Sequence, residues 1–165
     1  MALHWLTLIL LVAVVTCISL SDSFPEGSDS RALLNTWHFT LGLTVFGLVW
    51  IRFIAKLLSP IPLAVPPIAR WQQVTAKAVQ ALLYLLMFAM PVLGWLILSA
   101  SGKPIPFYGW QLPPLIAEHK NLVDTIKDLH EAGATVIYVL VGIHAAAALY
   151  HHYFIQDNTL KRMMP

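Results

Sequence analysis

Four apolar runs, each long enough to cross a lipid bilayer as a helix, leave this sequence few folds to choose from. They lie at about residues 2–20, 36–57, 75–99 and 129–154. A hydrocarbon core about 30 Å thick takes roughly 20 helical residues, so each run suffices for one crossing. Within the core the backbone must satisfy its own hydrogen bonds, which a helix does. Composition agrees: the 165 residues are 58% hydrophobic and 11% charged, where a soluble domain carries about 25% charged residues. The expected fold is an all-α membrane protein, a single domain over 1–165 built as a four-transmembrane-helix bundle.

The breaks between the runs are equally plain. Ala2 to Leu20 has no Lys or Arg ahead of its apolar part and no A-x-A site, so it reads as a first helix and not as a cleaved leader. Val14 to Cys17, VVTC, has the outline of a lipoprotein box, but Thr16 fits poorly before the cysteine. Ser21 to Asn35 is polar, with Pro25 and Gly27, and reads as a loop. Ser59 to Trp71 is proline-rich and forbids a helix. Pro91 lies inside the third run, where a kink is expected. Ser101 to Pro114 reads as a Gly/Pro/aromatic loop. After it Leu115, Ile116, Leu122, Val123, Ile126 and Leu129 recur at helical spacing and lead straight into the fourth run.

Loop charges orient the bundle. Arg52, Lys56, Arg70 and Lys77 flank the proline-rich linker with no acid among them. The first loop sets Asp22, Glu26 and Asp29 against Arg31 alone. The third balances Lys103, Lys120 and Lys127 against Glu118, Asp124 and Asp128, and the tail carries Lys161 and Arg162. The positive-inside rule puts both termini and the linker in the cytoplasm. Trp5, Trp37, Trp50, Trp71 and Trp110 read as interface anchors. A net charge of +2 gives no case for a nucleic-acid partner, and the lone Cys17 excludes a disulfide framework.

Histidines in the runs are the candidate chemistry, because a polar ring at membrane depth is costly and needs a partner. His130 and His144 are fourteen residues apart. At about 100° and about 1.5 Å per residue they share a face and lie about 21 Å apart along the axis. With the orientation above, His38 falls at the outer depth with His130, and His4 at the inner depth with His144. Two-and-two pairing suits bis-histidine ligation of haem iron. It suits a zinc or copper site less, since those usually need three or four ligands at one depth. Hydrogen-bonded contact between helices is the third reading that spacing leaves open. For haem, Gly42 beside His38 and Gly133 beside His130 are expected to let a flat macrocycle lie on bare backbone. His151, seven residues past His144, returns to nearly the same face at the inner interface. There it is either an anchor or a partner for a quinone headgroup. His119 and His152 read as solvated and interfacial, respectively.

At these residues the chain resembles the bacterial cytochrome b561 family, which also includes cytochrome b subunits of nickel-iron hydrogenases. The resemblance rests on His4-Trp5, on His38 with Gly42, on P-x-x-G-W at Pro91 to Trp95, and most specifically on GIHAAAALYHHYF followed by DNTLKRMMP. It implies two b-type haems stacked across the bilayer, with His4, His38, His130 and His144 as axial ligands. It further implies a multi-pass protein of the bacterial inner membrane, in contact with lipid, that carries electrons to ubiquinone in respiratory-type transport. Within the family, this short form most resembles proteins that oxidise superoxide. The alternative it implies is a subunit linking a dehydrogenase or hydrogenase partner to the quinone pool. Lys77 and Gln80 stand where relatives often carry histidine, and Arg52, Arg70 and Lys77, first of all topology signals, have a second, weaker reading as haem-propionate or quinone partners.

Overall fold

A computed structural model describes residues 1–59 and 69–163 and, of residue 162, the backbone alone. Its elements in order are α1 (Ala2–Ser21), α2 (Asp29–Leu58), α3 (Arg70–Ala100), β1 (Ile105–Phe107), β2 (Trp110–Leu112) and α4 (Lys120–Tyr150). A π-helical turn, His151–Ile155, ends α4, and a 3-10 turn, Lys161–Met163, follows. The four long helices are each apolar and long enough to cross a membrane. Most of the proline-rich linker expected at 59–71 lies outside the described residues.

Helix ends differ from the sequence reading where local hydrogen bonding overrides it. α2 begins at Asp29, not near Thr36, because Ser28 caps it: its Oγ accepts from the Arg31 N–H at 3.3 Å. Asp29 then complements the positive end of the helix dipole. α3 begins at Arg70, not Thr75, with the Gln72 side chain accepting from the Ala69 N–H at 3.2 Å. It runs helical through Pro91. α4 is one helix from Lys120 onward, as expected of the segment that feeds it, but Leu115 and Ile116 stay outside it. The third loop holds an unforeseen hairpin in which Ile105, Pro106 and Phe107 pair with Leu112, Gln111 and Trp110. Its turn uses Tyr108 at φ 48° and Gly109 at φ 85°, the two positive values that a tight two-residue hairpin turn demands.

Packing is sequential: α1 lies on α2, α2 on α3, and α3 on α4. The core of Val45, Val49, Tyr84 and Met87, edged by Leu10, Leu11, Val14, Phe53 and Phe88, belongs to the first three helices. α4 buries no residue of its own and stands away from α1 and α2. Trp50 is not a simple interface anchor, since it joins an aromatic cluster with Phe46 and Phe88. Outward-facing Ile9, Val12, Ile51, Leu85, Val139 and Ile143 are exposed, an apolar exterior suited to lipid contact.

Candidate functional site

The gap between α4 and the α1–α2 pair is bridged at two levels by histidine rings. His38 on α2 faces His130 on α4, with ring centroids 6.3 Å apart and planes at 73°. His4 on α1 faces His144 on α4 at 6.2 Å and 70°. The structure thus brings together the two pairs that depth assigned. Two imidazoles on one metal, each with a nitrogen about 2 Å from the metal and about 1 Å from its own ring centre, have centroids roughly 6 Å apart. Both pairs meet that separation. Among the described residues no group of three or more His, Cys, Asp or Glu is placed to hold a metal ion on protein ligands alone. The donor set therefore suits a metal that brings its own equatorial ligands.

Hydrogen bonding sorts the ring nitrogens. His38 Nδ1 lies 3.0 Å from the Val14 carbonyl. A carbonyl only accepts, so Nδ1 carries the proton and Nε2 keeps the lone pair that a metal needs. Across from it, His130 Nδ1 is buried and lies beside the Met90 backbone. At the other level His4 Nδ1 lies 2.9 Å from Arg52 Nη2. A guanidinium only donates, so this contact places the His4 proton on Nε2. Ligation through His4 Nε2 would put the proton on Nδ1 and require Arg52 to turn from it. Arg52 also lies over the buried Tyr84 ring, 5.5 Å from its centroid, with Lys56 Nζ over the same ring at 5.0 Å.

The two glycines expected to make room behave differently. A Cβ on Gly42 would meet nothing within 4 Å, so that backbone is open. A Cβ on Gly133 would run into Met90 Sδ. Gly133 therefore serves the close approach of α4 to α3, and the expectation that it faces a macrocycle is corrected.

Just past α4, His151 Nδ1 and Asp157 Oδ2 form a hydrogen bond at 2.6 Å, the carboxylate side chain wholly buried. Burial pushes the Asp157 carboxyl up, but hydrogen bonds from His151 and Thr159 outweigh it and hold the group below its ordinary range. Trp5 Nε1 donates to the Met163 carbonyl at 2.7 Å and ties the tail to α1 beside His4. His152, read as an interface residue, has a buried Nδ1 without a hydrogen-bond partner. Asp157 is the site residue that sequence reasoning missed, and Arg52, read first as a topology signal, is placed by the structure against His4. Arg52 repeats on α2, fourteen residues after His38, the interval between His130 and His144. Asp157 is the lone acid after α4, six residues past His151.

The whole chain, residues 1–165, matches the family model described as prokaryotic cytochrome b561. The chain belongs to the prokaryotic cytochrome b561 family. It is 37% identical over 163 residues to "Cytochrome b561 homolog 1" of Escherichia coli K12, covering 99% of this chain and 93% of that one. It is 33% identical to "Probable superoxide oxidase CybB" of Yersinia pestis, covering 99% and 92%, respectively. It is 34% identical to "Cytochrome b561 homolog 2" of E. coli K12, covering 99% and 87%. Proteins of this family are membrane cytochromes that bind b-type haem. The ring separations and the bare Nε2 of His38 fit such a group, whose porphyrin nitrogens complete the iron's coordination.

Proposed function

We propose that this cytochrome b561 holds two b-type haems, one on His38 and His130 and one on His4 and His144. In this reading it is an electron conduit across the bacterial inner membrane, with both termini in the cytoplasm. The observation that carries it is the pair of matched ring separations, 6.3 and 6.2 Å, built on one helix at two depths. Haem, when bound, supplies reversible one-electron transfer. The chain's part is to fix the ring planes, exclude water and set the charge around each site. Val14 keeps the proton on His38 Nδ1. Arg52 sets the charge at the inner pair.

Superoxide outside and ubiquinone inside are the substrates we assign. The relative named as a probable superoxide oxidase, aligned over nearly all of both chains, supports that donor. The chemistry balances: two superoxide anions each lose one electron to become oxygen, and one ubiquinone takes two electrons and two protons to become ubiquinol. His151, held by Asp157 at the inner end, is the group we assign to meet the quinone headgroup.

The test is haem content per purified chain together with a reduced-minus-oxidised spectrum, followed by superoxide addition to protein reconstituted with ubiquinone. Two haems per chain, b-type bands and ubiquinol formation are expected. Normal b-type bands with no reduction by superoxide would remove the donor assignment and leave the conduit. Reduction only on adding a dehydrogenase or hydrogenase partner would turn the protein into that enzyme's quinone-linking subunit.

A further inference from the structure

The two histidine pairs share one ring geometry but not one electrostatic environment. Beside the inner pair sits Arg52, with Nη2 2.9 Å from His4 Nδ1 and its guanidinium over the face of Tyr84, which is only 7% exposed. Among the described residues no carboxylate forms an ion pair with it. Among the described residues the outer pair has no such cation in contact. His38 is held by the Val14 carbonyl and its ring meets Phe39. His130 lies beside Gly94 and the Met90 backbone. The nearest formal charge in sequence, Glu131, is exposed and bonded to Lys127 at 3.6 Å.

We propose that Arg52 gives the conduit its direction by making the inner centre the easier of the two to reduce. This rests on the reading above, that each pair holds one haem. Reduction lowers the charge of the iron by one, and a fixed neighbouring cation favours the less positive state. Low dielectric around the aromatic contacts strengthens that preference relative to water. A guanidinium stays charged at any accessible pH, so the bias is built in. Its stacking over the Tyr84 ring does not depend on His4 Nδ1, so turning from that nitrogen leaves the positive charge beside the inner pair. Electrons entering at the outer pair then run downhill to the inner pair. The residue acts through its field on the iron and is a positioning charge, not a catalytic residue.

The experiment is a spectroscopic redox titration of the full-length, haem-loaded protein. The centres are told apart in His38→Ala, which keeps the inner one, and His144→Ala, which keeps the outer one. Arg52→Gln in the His38→Ala background is expected to lower the reduced-to-oxidised ratio at fixed ambient potential by about tenfold or more. For a one-electron couple that is a fall of about 59 mV. The same substitution in the His144→Ala background should leave the outer centre unmoved. Arg52→Lys, which keeps charge but not the guanidinium fork, should restore most of the inner value. It also decides the matter if Arg52→Gln fails to retain haem. An unchanged inner centre in Arg52→Gln, equal shifts at both centres, or a fall in Arg52→Lys as large as that expected for Arg52→Gln would overturn the proposal. A wild-type protein carrying fewer than two haems would overturn the reading beneath it, and haem content per chain reports that separately.

Discussion

The outer and inner histidine pairs have nearly the same separation and interplanar angle, yet they are held in different ways. In the outer pair the Val14 backbone carbonyl orients His38, and on the His130 side Gly133 lets the Met90 side chain of α3 pack against α4. The inner pair is surrounded by side chains that can move, namely Arg52, Trp5 and the tail beyond α4. Backbone supports resist relaxation, and side-chain supports adapt to what binds. His38 is therefore the ligand candidate with the stiffer support, and His4 the one whose polar neighbour, Arg52, can turn.

The strongest way to break this comparison is to remove one level. His144→Ala should halve the haem per chain and leave the outer centre's spectrum in place, measured by extracted haem against protein. His38→Ala should do the converse. Loss of both haems from either variant, at normal protein yield, would show that the levels are coupled and that the pairs are not separable sites.

The fold was legible in the sequence because membrane spans announce themselves by length and apolarity, and depth could then be read from helical rise and loop charge. That arithmetic brought His38 to His130 and His4 to His144, which spacing within one helix alone could not do. What stayed hidden depends on local hydrogen bonds or on three-dimensional closeness. Ser28 starts α2 a full two turns early because its hydroxyl caps Arg31. Gly133 looked like room for a flat group beside His130, but its neighbour across the helix interface is Met90. Arg52 read first as a topology signal because its contact is with His4, forty-eight residues away. The Tyr108-Gly109 turn between two short apolar stretches was a hairpin signal in plain view, masked by the prolines around it.

A smaller effect is expected at the inner end, where the tail closes through the His151–Asp157 pair. Asp157→Asn should cost about 1–3 kcal/mol, the range for weakening a buried charged hydrogen bond. Because the folded-state carboxyl lies below its ordinary 3.8, its contribution is present above that pH and is lost as pH falls through the folded value. Thermal midpoints of wild type and Asp157→Asn should thus differ at neutral pH and converge below pH 3.8. A constant difference across that window would mean that the aspartate acts through packing and not through its charge.

The smallest effect belongs to the hairpin at the outer end. Thr44 Oγ1 donates to the Thr40 carbonyl at 2.8 Å, so the Tyr108 hydroxyl is the donor in its 3.0 Å bond to Thr44. Tyr108→Phe removes that one bond and should cost about 0.5–1.5 kcal/mol. The outer haem should be untouched. Trp37, Thr40 and Thr44, the α2 residues that meet the hairpin, lie roughly 100° to 160° around the helix from His38. The hairpin thus grips the back of the helix whose front carries the ligand. If Tyr108→Phe shifts the outer centre's band or potential while sparing the inner one, the hairpin reaches further into the site than this face analysis allows. His38 would then owe its placement to the loop as well as to the Val14 carbonyl of α1.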